Sequence, residues 1–155
     1  MNREQQLRRR LRAMTALVIA GLVVSGATAI PLQWELDVLA AWLPMEWIGL
    51  VHAAIQEMTA KHPFLAYGTD WLAFGHFVIA IAFVGAWCEP VRNRWLFDFG
   101  LIACALVVPY ALVMGGWRGI PLWWRLIDSS FGVLCAVPLW LCRRDAAELA
   151  KLTAR

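Results

Sequence analysis

Apolar and polar positions alternate along this chain in long blocks. Four stretches are almost continuously apolar, and one stretch between the first two is not. The first apolar run, residues 13–30, is "AMTALVIAGLVVSGATAI" and follows the basic leader "NREQQLRRRLR". At about 1.5 Å per residue, 18 helical residues reach across most of a bilayer core of roughly 30 Å. Ala27-Thr28-Ala29 offers an AxA-like cleavage site. The run is nonetheless long enough to span, and the expectation is a retained first helix. Its small face, Ala13, Ala16, Ala20 and Ala27, is expected to receive a neighbouring helix.

The second run, residues 67–88, reads "YGTDWLAFGHFVIAIAFVGAWC"; Asp70 opens it and Glu89-Pro90 closes it. The third, residues 95–117, contains Pro109, where a kink is expected. Asp98 lies four residues after Arg94, a spacing that predicts a local surface pair. The fourth run, residues 122–142, ends at Arg143 and Arg144, and the tail 143–155 reads as a short soluble helix. Residues 31–63 differ, because Glu35, Asp37, Glu46, Glu57 and Lys61 interrupt them. From Pro44 onward Ile48, Val51, Ile55 and Met58 share one face. Glu46, Ala53, Gln56, Glu57 and Ala60 lie opposite, an amphipathic pattern. This stretch is expected to form one or two interfacial helices. The predicted fold is therefore all-α and integral to the membrane. It is a single four-span domain over residues 1–155, with an extracytoplasmic amphipathic segment between the first and second spans.

Composition agrees with the pattern. The chain is 61% hydrophobic and 16% charged, where a soluble domain typically carries about 25% charged residues. Charge distribution then gives orientation. Alternating spans place Arg3, Arg8, Arg9, Arg10, Arg12, Arg92, Arg94, Arg143, Arg144, Lys151 and Arg155 on one side. Lys61, Arg118 and Arg125 are left on the other. The positive-inside rule makes the first side cytoplasmic, with both termini there, as in a bacterial inner membrane. Trp34, Trp42, Trp47, Trp71, Trp117, Trp123 and Trp124 then fall toward the outer interface. No basic patch interleaved with aromatics points to nucleic acid. The four cysteines form no CxxC pair, so thiol–disulfide chemistry is disfavoured and they read as small apolar fillers.

Polar residues inside the spans are the candidate chemistry. On the fourth span Pro121, Arg125, Ser129, Gly132 and Ala136 share one face, with Asp128 and Cys135 beside it. A small and polar stripe on a greasy helix faces protein. Arg125 and Asp128, three apart, are expected to pair. On the second span Thr69, Ala73, His76 and Ala80 form a similar arc, bordered by Asp70. His76 lies about 9 Å deeper than Asp70 along that helix. These residues suggest an outward-facing pocket. Arg125 or Arg118 would hold an anionic or carbonyl group, His76 would form the floor, and Tyr67, Tyr110, Trp117, Trp123 and Trp124 would wall it.

The function expected from that pocket is binding of a small amphipathic or lipid-like ligand by Tyr67, Asp70, His76, Arg118, Trp123, Trp124, Arg125 and Asp128. The bland alternative is a polar network that only locks the second and fourth spans together. A second alternative is a structural or accessory subunit of a larger membrane complex, or a homo-oligomer. A third is a small membrane enzyme in which His76 works with Asp70 or Asp128 as acid/base. Three histidines without an HxxxH or HExxH pattern give no metal site, and no cofactor motif is present. The arginine, aspartate and glycine of "RLIDSSFG" resemble the last helix of VanZ-like proteins. The spacing differs, "DWLAFGH" sets its aspartate and histidine too far apart, and nothing carries over. The tryptophan content is similar to that of TspO-like porphyrin binders, whose five spans and proline-rich motif are missing here.

Overall fold

The computed structural model describes residues 2–154, and these are almost entirely helical. The helices are α1 (Arg3–Ala29), α2 (Leu32–Trp42), α3 (Glu46–Lys61), α4 (Tyr67–Cys88), α5 (Trp95–Trp117) and α6 (Leu122–Thr153). A 3-10 turn, Pro63–Ala66, leads into α4. Four of them, α1, α4 with its leading turn, α5 and α6, are long and apolar enough to cross a membrane. This is the mark of a multi-pass membrane protein. Large apolar side chains on these helices point outward, among them Leu17, Val24, Ile81, Leu106, Val113 and Leu134. Such faces suit lipid, which solvates them as well as a protein core would.

Two helices run further than their apolar stretches. α1 begins at Arg3, so the basic leader is helical; Arg, Gln, Glu and Leu are good helix formers, and Glu4 pairs with Arg8 one turn on at 2.9 Å. α6 continues without a break to Thr153, so "RRDAAELAKLT" extends the fourth span and is not a separate tail helix. Pro109 and Pro138 both lie inside helices that continue through them. α3 starts at Glu46 rather than at Pro44. The residue before a proline is driven out of the helical region; Leu43 takes φ −126° and ψ 83° and ends α2 at Trp42, while an extended Met45 caps α3.

The chain forms two compact units, Met1–Ala20 with Ala80–Arg155, and Gly21–Ile79. In the first, α5 packs along α6. The seam is built of small residues on one helix and larger ones on the other. A Cβ on Gly100 would stand 2.9 Å from Leu139, and one on Gly132 would stand 2.3 Å from Val107 and 2.7 Å from the Cys104 carbonyl oxygen. Phe83 and Phe97 add a tilted aromatic pair with centroids 6.5 Å apart, both buried. The α6 stripe of Arg125, Ser129 and Gly132 therefore does face protein, and the protein it faces includes α5.

The remaining face of α6 in this unit meets the start of α1. Thr15 Oγ1 lies 3.8 Å from Cys142 Sγ. Arg10 Nε reaches Asp145 Oδ2 at 3.1 Å, and Arg3 grips both oxygens of Glu148 at 2.8 and 3.0 Å. Leu7, Leu11, Thr15 and Val18 are the buried positions of α1 in this unit, spaced four, four and three apart. The alanine face expected to be the contact is exposed at Ala13, Ala16, Ala20 and Ala27. The physical reason is partner size. Ala146 and Cys142 supply the small side chains from α6, so α1 contributes large ones.

Asp98 also corrects an expectation. It pairs with Arg143 of α6, not with Arg94 one turn away. The short α4–α5 connection is closed by Asn93, whose Nδ2 donates to the carbonyls of Gly85 and Glu89 at 2.9 and 3.1 Å. Each carbonyl also accepts a backbone N–H, from Glu89 at 2.9 Å and from Asn93 at 3.0 Å, so the side chain adds a second bond at each.

In the second unit, α2 and α3 pack together as an amphipathic pair. Leu36 is buried; in α3 Ile48 is buried and Glu46, Gln56 and Glu57 are exposed, as their spacing predicts. His52 Nε2 lies 2.6 Å from Asp37 Oδ1 and joins the two helices. Gly26 of α1 lets α4 approach closely: a Cβ there would stand 2.8 Å from Phe77 and 3.0 Å from the Ala73 carbonyl oxygen.

Candidate functional site

The α5–α6 turn organises the most unusual polar group. α5 ends in a Schellman motif: Ile120 N–H donates to the Gly115 carbonyl at 2.8 Å, and Gly119 N–H donates to Gly116 at 3.2 Å. Gly119 sits at φ +72°, a conformation that favours glycine. Pro121 then opens α6 with its fixed φ. This turn brings the first turn of α6 back onto the last turns of α5. Arg125 lies across Gly115 and Gly116, and a Cβ at Gly115 would stand 2.6 Å from both Cγ and Cδ of the arginine.

Arg125 is not paired with Asp128. Its Nη1 donates to the Leu112 carbonyl at 3.0 Å, and its buried Nε has no partner. Among the described residues it makes no ion pair. The attraction it does receive comes from the C-terminal end of α5, where the helix dipole is negative. Ser129, which shares its face, is buried and donates back to the Arg125 carbonyl at 2.8 Å. Asp128 is half-buried and has no hydrogen-bond partner among the described residues. Around the turn, Trp123 and Trp124 stack edge to face at 5.4 Å, and the exposed Arg118 lies over the Trp117 ring at 5.5 Å.

The other candidates lie in the second unit. Tyr67 and Asp70 share a recess of about 270 Å³ with Trp71 and Phe74, at the start of α4. Tyr67, Trp71 and Phe74 form an edge-to-face chain along it. Asp70, in the first helical turn, suits the positive end of the α4 dipole. Of the arc residues in this unit, Ala73 is buried and Thr69 and His76 are half-buried. His76 Nδ1 lies 2.8 Å from the Leu72 carbonyl. A carbonyl only accepts, so this nitrogen carries the proton and Nε2 is left as the basic one. Within the second unit no carboxylate is hydrogen-bonded to the His76 ring. The structure thus gathers Arg118, Trp123, Trp124, Arg125 and Asp128 on one hairpin, and Tyr67 with Asp70 around one recess.

No group of three or more His, Cys, Asp or Glu side chains is placed to hold a metal ion among the described residues. All four cysteines are free thiols. Residues that the sequence reading passed over are Asp145 and Glu148, each tied to an arginine of α1. Glu148 lies beyond the apolar stretch that ends at Cys142, and the hydrogen bonds from Arg3 hold its carboxyl below the usual carboxylate range. The sign follows: this tie is complete above the ordinary carboxyl pKa and is lost as pH falls through the lowered value. Comparison with known families, with curated proteins and with solved structures finds no match to this chain.

Proposed function

We propose that this is a small polytopic inner-membrane protein that binds an amphipathic, lipid-like anion on the outer side of the membrane, through Arg125. The observation that carries the reading is an arginine inside an apolar hairpin that has, among the described residues, no carboxylate partner and a buried, unpartnered Nε. Placing a guanidinium there costs a few kcal/mol even on lenient insertion scales, at about 2.5–3.5 kcal/mol. One carbonyl and a helix end offset part of that cost. A ligand carboxylate or phosphate would supply the charge-assisted hydrogen bonds still missing. Arg118 at the turn would meet the same head group from the water side. Trp117, Trp123 and Trp124 suit the boundary between head group and chain. Binding is preferred to catalysis because the buried polar atom without a partner belongs to Arg125, whereas His76 already bonds the Leu72 carbonyl.

The test is mass spectrometry of what copurifies in mild detergent. An anionic amphiphile should be retained by the native protein and by Arg125→Lys at reduced occupancy. Arg125→Gln should retain it at least tenfold less well, with Arg118→Gln, at an exposed position, giving a smaller loss without any threat to folding. Equal occupancy in all four proteins would sink the reading.

The assignment of sides rests on the loop charges. Cysteine labelling in a cysteine-free background should find positions near Arg92 and Lys151 shielded from an impermeant outside reagent. Positions near Glu57 and Arg118 should react. A reversed pattern would put Arg125 on the cytoplasmic side and overturn the proposed orientation.

A further inference from the structure

The end of the first unit opposite the Arg125 turn carries a second cavity. Its volume is about 430 Å³, and Arg94, Trp140, Arg143, Arg144, Glu148 and Lys151 are among its lining residues. These residues come from the start of α5 and from the stretch of α6 where the apolar run gives way to charge. Trp140 is the last aromatic before that change, and Arg144 stacks over its ring at 5.4 Å. The cavity therefore lies at the level where an aromatic belt meets lipid head groups.

Its charge is unbalanced in a specific way. Glu148, the lone acid lining it, is already held by Arg3 through both oxygens. Arg143 is paired with Asp98, and Arg144 with the buried Asp145. Arg94 and Lys151 make no ion pair among the described residues, and both are exposed. So two cations are committed to the fold and hold their places, while two free cations face the same space. Fixed guanidiniums, free cations and a tryptophan at the interface are the components that hold a phosphate ester with its glycerol portion.

We infer that this cavity is a phosphate site for the head group of an anionic phospholipid, of the phosphatidylglycerol type. The phosphodiester would lie between Arg94 and Lys151, with Arg143 and Arg144 as its flanks and the glycerol portion against Trp140. The acyl chains would continue along the apolar face below. This site is independent of the Arg125 reading, since it uses none of the same residues.

The experiment compares thermal stability and native mass spectra of the whole protein in nanodiscs of phosphatidylcholine alone and with added phosphatidylglycerol. Phosphatidylglycerol should raise the melting temperature and remain bound as one retained lipid. The double variant Arg94→Gln, Lys151→Gln should weaken that retention by roughly 25-fold, about fivefold for each cation. It leaves the pairs to Asp98, Asp145 and Glu148 in place, so folding is preserved. The variant Arg9→Gln, Arg92→Gln removes the same charge from exposed positions outside the cavity and should change retention little. Inorganic phosphate, added to protein in phosphatidylcholine, separates the sources. Protection by millimolar phosphate alone, lost in the first double variant, assigns the site to a free phosphate group. Failure of phosphate with success of the lipid assigns it to the head group. Equal losses in the two double variants, or no preference for phosphatidylglycerol, would overturn the site.

Discussion

Gly132→Val should be one of the two most damaging single substitutions in α6. A Cβ at this position would stand 2.3 Å from Val107 Cγ1 and 2.7 Å from the Cys104 carbonyl oxygen. Val107 can turn about χ1, but the carbonyl belongs to the α5 backbone, so the helices must separate. Overpacking of this kind costs about 1–3 kcal/mol and sometimes more. Separation is serious inside a membrane, where close packing rather than hydrophobic expulsion holds helices together. Alanine should do less harm than valine, because replacing glycine in a helix recovers up to about 1 kcal/mol of backbone entropy. The measurement is the denaturation midpoint in detergent. Gly132→Val should lower it strongly, Gly132→Ala moderately, and Gly75→Ala, where a Cβ has nothing within 4 Å, should leave it level or raise it. Adding Val107→Ala to Gly132→Ala should recover only part of the loss, since the Cys104 carbonyl remains. A Gly132→Val protein as stable as the native one would mean that α5 and α6 do not meet here.

Much of this arrangement is legible in the sequence because it is local. Four apolar runs give four helices long enough to span, and the period of Ile48, Val51, Ile55 and Met58 gives α3 its inward face. The small and polar stripe of α6 is likewise readable from spacing alone. Its nearest partners were not, since a stripe says that a neighbour exists without saying which. Arg125 shows the limit clearly. An arginine three residues before an aspartate invites a pairing, and a competing backbone carbonyl has no signature in sequence. Leu112 and the bare backbone of Gly115 and Gly116 offered closer contacts. Asp98 behaved similarly: one turn from Arg94, it took Arg143 from the facing helix. The alanines of α1 misled for another reason. Small residues permit close approach, but α6 already supplies them at Cys142 and Ala146, and a second small face would leave a void.

Asp145 is the residue that the sequence concealed most fully, and it should carry the second large effect. In "CRRDAAELAK" it reads as one charge of a wet helix, yet it is only 1% exposed. Its Oδ2 forms an ion pair with Arg10 Nε at 3.1 Å, and its Oδ1 accepts from Arg144 Nε and Nη2, both at 3.3 Å. Arg10 is 135 positions away, so no window of sequence shows the pair. Asp145→Ala would leave two guanidiniums facing each other around an empty site. Removing one member of a buried pair typically costs about 3–5 kcal/mol. Both arginines keep close to half of their side-chain exposure, so water takes up part of the loss and about 2–3 kcal/mol is expected. Arg10→Gln should cost under about 1 kcal/mol, because Arg144 still answers the carboxylate. The two effects should not add. In the Arg10→Leu, Asp145→Leu protein the buried charge and one of its two cations are gone together, so much of the stability should return. Protease sensitivity of the α1 leader reports the same contact directly: it should rise in Asp145→Ala and fall back in the double leucine variant. If Asp145→Ala melts with the native protein and its leader stays protected, the link from α1 to α6 rests on Leu7, Leu11 and Leu149 rather than on charge.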